Sequence, residues 1–133
     1  KNIIACCKAL VKDHQGEVPK TMEELVVLAG VGRKTANVVL GNAFGIPGLP
    51  VDTHVGRLSF RLGLSKSKDP VKIELDLHRV IKEEEWTIFG HRIIEHGRKV
   101  CASRKPKCSD CALIDLCPQK GVTKTPTKGK KKS

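Results

Sequence analysis

Cys101, Cys108, Cys111 and Cys117 read C-x6-C-x2-C-x5-C and fall within 17 residues. Thiols that close together are arranged to hold a metal centre rather than to staple distant loops. Tetrahedral zinc and an iron–sulfur cluster both accept four thiolates. Zinc ribbons and knuckles usually present two C-x2-C pairs, or one pair answered by histidines. Here there is one C-x2-C pair, flanked asymmetrically, and His96 is the only histidine close by. The spacing leans toward a cluster and leaves zinc open. Disulfides fit least, because no feature of the sequence points to an oxidising compartment.

A second candidate for chemistry is Lys34, just after Gly30-Val31-Gly32. Glycines there can adopt left-handed backbone and let another backbone approach, and the helix that follows presents free amides that attract an anion. The motif reads either as a phosphate clamp or as an ordinary helical hairpin turn. A lysine in the first turn opposes the helix dipole, and that field favours the neutral amine able to attack a carbon. The plainer reading is a lysine on phosphate or water. Asp52 follows 18 residues later at the start of another helix. It is either a simple N-cap or a carboxylate that assists proton transfer beside Lys34.

The elements that must position these groups are helical. Ile3, Ile4, Cys7, Leu10 and Val11 recur at helical spacing until Gly16 and Pro19, with Cys6 and Cys7 read as small core residues. Thr21-Met22-Glu23-Glu24 is a capping box that opens a helix through Leu25, Val26 and Leu28. A second helix is expected from Arg33 to Leu40, then a Gly/Pro-rich loop over residues 41–50. Asp52 and Thr53 cap a helix with Val55, Leu58 and Leu62 inward and Gly63 at its end. Asp69-Pro70 starts another, with Val71, Leu75, Leu77 and Ile81. A last helix carries Ile88, Phe89, Ile93 and Ile94 toward Cys101. No strand alternation appears, so the expected fold class is all-α.

Composition narrows the partners. The 133 residues carry 25 Lys+Arg against 14 Asp+Glu, a formal charge of +11, and six lysines within residues 120–133 supply more than half of that excess. A basic body with a basic tail suits a polyanion, most often nucleic acid, and a solvated lysine tail is the plainer alternative. No apolar run approaches the ~20 residues of a membrane span. Aromatics are limited to Phe44, Phe60, Phe89 and Trp86, too few for a base-stacking platform.

Three stretches together carry a resemblance. They are Leu28-Ala29-Gly30-Val31-Gly32-Arg33-Lys34-Thr35-Ala36-Asn37, Val51-Asp52-Thr53-His54-Val55, and His96-Gly97-Arg98 leading into the four cysteines. In this order and at these intervals the chain, from Asn2 to about Pro118, resembles the endonuclease III family. Its members are bifunctional DNA glycosylases and abasic-site lyases of the helix-hairpin-helix, iron–sulfur superfamily. The resemblance implies a helix-hairpin-helix glycosylase fold, with residues 1–62 as part of the helical barrel and the hairpin at about 21–41. It implies a cluster domain over residues 63–118, with the cluster loop at 101–117, and a basic disordered tail over residues 119–133. It implies that Cys101, Cys108, Cys111 and Cys117 hold a structural 4Fe-4S cluster. Gly30, Val31, Gly32 and Arg33 would grip the DNA, and Arg104, Lys105 and Lys107 would lie along its backbone.

Lys34 would be the Schiff-base nucleophile at C1′, and Asp52 its acidic partner. Expulsion of an oxidised base, mainly a pyrimidine, would then be followed by β-elimination. The partner implied is double-stranded DNA with damaged bases or abasic sites, met by a monomer inside the cell. The adenine-mismatch branch generally lacks a lysine at the position of Lys34, so Lys34 argues against it. Two departures stand out. Ala29 replaces the usual Pro, and the family's further helices ahead of this chain's first residue are missing. The alternative is therefore a non-catalytic DNA-binding piece that keeps the hairpin and the cluster.

Overall fold

The structure, a computed structural model, describes residues 1–122. The described residues form six α-helices: α1 (Asn2–His14), α2 (Met22–Val26), α3 (Arg33–Phe44), α4 (Thr53–Arg61), α5 (Pro70–Val80) and α6 (Trp86–Lys99). Short 3-10 turns lie at Glu83–Glu85 and Cys108–Asp110. There is no strand among the described residues, so the chain is all-α as expected. No helix there is long and apolar enough to cross a membrane.

The helix starts follow from local chemistry. Thr21 accepts from the Glu24 amide, Asp52 from that of Val55 and Asp69 from that of Val71, so each first turn has a side-chain cap. Pro70 sits where its missing N–H costs nothing. Helix ends are less local. α3 continues through Gly41 to Phe44, past the expected stop at Leu40, and ends at Gly45 with φ 62. The extra turn lets Phe44 and Ile46 pack on the cluster of Leu25, Leu28, Ala36 and Leu40. That burial outweighs the glycine penalty, which is about 1 kcal/mol.

A second, larger core joins Leu49, Val55, Leu58, Ile73, Leu77 and Ile93. It forms where α4 lies against both α5 and α6. Two expected apolar faces need correction. On α5 the buried residues are Ile73, Glu74 and Leu77, whereas Val71 and Leu75 are about half exposed. On α1 no residue is buried, Ile3 is 79% exposed, and Cys7 is exposed rather than a core residue. Cys6 and Leu10 alone of that helix's expected stripe touch the first core.

Of the stretch expected as a disordered tail, residues 119–122 are placed. The Lys120 amide donates to the Arg61 carbonyl, and Gly121 lies against Phe60, where a side chain would collide with the ring at 2.8 Å. The remainder, residues 123–133, lies outside the described residues.

Candidate active site and metal centre

The hairpin is a turn of minimal length between α2 and α3. The Leu28 amide bonds the Leu25 carbonyl and the Val31 amide the Leu28 carbonyl, drawing the chain round before Gly32. Gly30 takes φ 77, a left-handed conformation in which a side chain is strained. Gly32 does not: at φ −92 and ψ 178 it is the extended N-cap of α3. Lacking a side chain, it leaves the first-turn amides of α3 without a side-chain cap, and a helix end of that kind receives an anion. Lys34 stands exposed in that first turn.

Lys34 and Asp52 line one cleft of about 580 Å³. Val51 just before α4 and Thr53, His54 and Gly56 at its start line the cleft, with Pro70 and Ile73 of α5, Lys68 and Arg98. Asp52 is indeed an N-cap, accepting from the Val55 amide at 2.8 Å through Oδ1. The cap uses one carboxylate oxygen only, so the N-cap reading of Asp52 holds.

A buried carboxylate fixes how α3 presents Lys34. Glu74 of α5, 4% exposed, receives Arg33 Nε and Nη2 and also Asn37 Nδ2 at 3.2 Å. Arg33 and Asn37 stand one turn apart and bracket Lys34, so the rotation of α3 about its axis is set. The hydrogen bond to Glu74 raises the Arg33 guanidinium further above its ordinary value. Arg33, expected on the DNA, thus spends its guanidinium within the fold. Beneath it His78 stacks on Trp86 at 3.8 Å, and burial lowers its imidazole below the ordinary histidine value.

All four cysteines of the spaced motif are free thiols lining one hollow with Leu58, Leu62, His96, Val100 and Leu113. Burial pushes the Cys108 thiol up, and the nearness of Cys101, Cys111 and Cys117 pushes it further. Three sulfurs are already furnished with donors. The Leu113 amide points at Cys111 Sγ (3.4 Å), the Gln119 amide at Cys117 Sγ (3.3 Å) and Arg61 Nη1 at Cys101 Sγ (3.2 Å). Donors aimed at sulfur stabilise thiolates and tune a cluster. Among the described residues no three His, Cys, Asp or Glu side chains converge on a point that one ion could occupy. A cluster that brings its own sulfides is wider than an ion and does not need that convergence. Four cysteine sulfurs lining one hollow, with N–H donors aimed at three of them, are a donor set that fits a cluster held by four thiolates.

Two arginines tie this loop to the rest. Arg61, 8% exposed, also donates to the carbonyls of Cys101, Ala102 and Ser103. Arg57 donates to the carbonyls of Cys101 and Gly97 and meets His54 Nδ1 at 3.1 Å, joining the cysteine loop to a wall of the cleft. Gly97 is required there, because a Cβ would stand 2.9 Å from the His54 ring and 3.0 Å from Arg57. Arg104, Lys105 and Lys107 are exposed on the loop, which the Lys107 amide closes on the Val100 carbonyl at 2.9 Å.

Sequence reasoning assigned no role to Lys68, Arg98, Glu74, Arg57 or Arg61. Arg98 lay within the His96-Gly97-Arg98 stretch, and the others had no local signal. Glu74 could have been suspected only as a charge interrupting an apolar helix face.

The chain is similar to known proteins over most of its length. The helix-hairpin-helix motif family matches residues 13–41. Endonuclease III of Synechocystis sp. is 57% identical over 119 residues, covering 89% of this chain and 54% of the relative. That of Bacillus subtilis is 48% identical over 118 residues, covering 88% and 54%. Among solved structures, a trapped endonuclease III–DNA covalent intermediate superposes with a TM-score of 0.84 at 46% identity, covering 89% of this chain and 56% of that one. A thermostable thymine-DNA glycosylase shares the fold with a TM-score of 0.78 at 24% identity, covering 89% and 56%. The chain spans about half the length of the curated relatives it matches. Over nearly nine tenths of its own length the chain is similar to endonuclease III, and it has the fold of the helix-hairpin-helix DNA glycosylases.

Proposed function

We propose that this chain serves base-excision repair of DNA, removing oxidised bases, mainly pyrimidines, and cutting the abasic site through a lysine Schiff base. The observation that carries the reading is the shared cleft of Lys34 and Asp52 beside a hairpin whose second helix, α3, starts without a side-chain cap. Gly30, Val31 and Gly32 hold a backbone phosphate, with Arg33 contributing its exposed edge. Arg104, Lys105 and Lys107 follow the backbone farther along. The target nucleotide leaves the stack and enters the cleft.

There Lys34 Nζ attacks C1′. The C1′–N bond breaks and its electron pair leaves with the base, which takes up a proton. Asp52 accepts the proton that the lysine nitrogen sheds and faces the positive charge that develops on the sugar. Ring opening yields the imine. Loss of a C2′ proton expels the 3′ phosphate by β-elimination, and water then hydrolyses the imine and frees Lys34. Cys101, Cys108, Cys111 and Cys117 hold the 4Fe-4S cluster, which when bound supplies folding energy to the loop rather than chemistry.

Borohydride tests the chemistry. The 133-residue chain, mixed with a duplex containing an abasic site, should be trapped covalently, because hydride reduces an imine. Lys34→Gln should abolish trapping and strand cleavage while leaving duplex binding largely intact. Trapping that persists in Lys34→Gln would move the nucleophile elsewhere.

A second reading is a DNA-binding piece without catalysis. It is favoured by the exposure of Ile3, Ile4 and Val11 on α1, a helix face with no partner among the described residues. A chain that binds duplex DNA and is never trapped would decide for it.

A further inference from the structure

We propose that Lys68 and Arg98, which line the Lys34 cleft, form a phosphate clamp there, holding the backbone phosphates that flank an extruded nucleotide. The two cations come from separate elements. Lys68 immediately precedes the Asp69 cap of α5, and Arg98 lies in the last turn of α6. α4 packs against both helices, and its first turn lines the same cleft, so the two cations approach it from the α5 and α6 sides.

The charge balance points to an anion. Lys34, Lys68 and Arg98 line the cleft with one carboxylate, Asp52, whose Oδ1 already caps α4. None of the three cations has an ion-pair partner among the described residues. Their neighbours do pair: Lys99 takes Glu95 on the same turn as Arg98, and Arg79 takes Asp76. Both clamp residues are exposed, so the water that now solvates them is displaceable. Three unneutralised cations around one space repel one another, and that repulsion is relieved by a polyanion.

At the start of α4 the Val55 amide is already taken by the Asp52 carboxylate, so the anion is left chiefly to side chains. A phosphodiester supplies one charge on each side of every nucleotide, and the two phosphates travel with a sugar that swings out of the stack. The clamp therefore engages when a nucleotide is extruded and idles on an undistorted duplex. In this it differs from the contacts proposed for Arg104, Lys105 and Lys107, which follow the backbone in either case.

The inference rests on the proposed function, and one experiment separates their failures. Binding of the 133-residue chain is measured across a salt series on two duplexes of one sequence, intact and carrying a tetrahydrofuran abasic-site analogue. Lys68→Ala and Arg98→Ala should each flatten the log K against log salt slope by about 0.9 on the analogue duplex. Both should leave the slope on the intact duplex unchanged. Arg92→Ala, a control on α6 that lines a different hollow with Phe89, should change neither. Equal flattening on both duplexes would make the two residues general backbone contacts and overturn the clamp, as would no flattening on either. If the unsubstituted chain binds both duplexes alike, the proposed function itself falls, and the clamp falls with it.

Discussion

Asp52 caps α4, and the proposed function gives it a second role as the acid beside Lys34; a single substitution separates the two. Asparagine caps helices as well as aspartate does, so Asp52→Asn keeps the bond to the Val55 amide and removes only the charge. The helix should stay, with the urea midpoint nearly unchanged, while lyase turnover on abasic DNA falls by about 10²–10⁴. Unchanged turnover would reduce Asp52 to its cap. Arg61 makes the opposite case, a buried cation whose value is structural. Its guanidinium satisfies the carbonyls of Cys101, Ala102 and Ser103 and the Cys101 sulfur. Arg61→Met fills the space without the donors and strands those acceptors. It should cost about 2–4 kcal/mol, from unsatisfied buried acceptors, including one at a future thiolate. Urea unfolding reads the loss, and iron should be released faster to a chelator.

At the scale of elements, α3 is aimed by α5. Arg33 and Asn37 lock onto Glu74, and His78, one turn further along α5, sits at 3.6 Å from the same carboxylate. Burial lowers the His78 imidazole against the opposing pull of Glu74 and Glu83, with Arg33 adding to the lowering. The folded chain therefore binds a proton at His78 less readily than the unfolded chain, whose value is about 6.5. Its contribution to stability is full above that value and is lost as pH falls below it, because only the unfolded state gains the proton there. Urea midpoints at a pH of about 7.5 and of about 5.5 should show this decline. His78→Phe keeps the stack on Trp86 and should remove the His78 share of it; an identical decline in His78→Phe would place the titration elsewhere. Capped helix starts such as Thr21, Asp52 and Asp69 were legible from sequence, because cap and amide lie within three residues. The Glu74 lock was not, because its partners stand 37 and 41 residues away.

For the whole molecule, charge is the long-range term. A formal +11 favours polyanions of any sequence, and in the proposed function the exposed loop concentrates part of that attraction in Arg104, Lys105 and Lys107. Replacing all three by Ala should weaken binding to intact and abasic duplexes alike. The salt slope should flatten by about 0.9 for each phosphate that the loop no longer neutralises. A triple variant that shifts lesion preference at constant slope would remove the loop from the backbone. Stability at this scale depends on cores that differ in completeness. The α4–α5–α6 core encloses Leu49, Val55, Leu58 and Leu77 fully, whereas α1 covers the other core with one part-buried stripe.

By itself the amino-acid sequence was sufficient for an all-α fold, for the glycine hairpin with Lys34 after it, and for a four-cysteine centre. Each of these is written in residues adjacent in sequence: caps bond amides two or three positions on, Gly30 bends the chain at its own φ, and the cysteines span 17 residues. Where distant segments meet was decided only by the tertiary structure. The packing of α4 against α5 and α6 set Lys34 and Asp52 in one cleft, added Lys68 and Arg98 to its wall, and turned Arg57 and Arg61 onto the cysteine loop. It also overruled periodicity, leaving Val71 and Leu75 half exposed while Glu74 went inside with partners to satisfy it. A helix has several faces its sequence could bury, and the choice falls to whichever neighbour the rest of the chain brings against it.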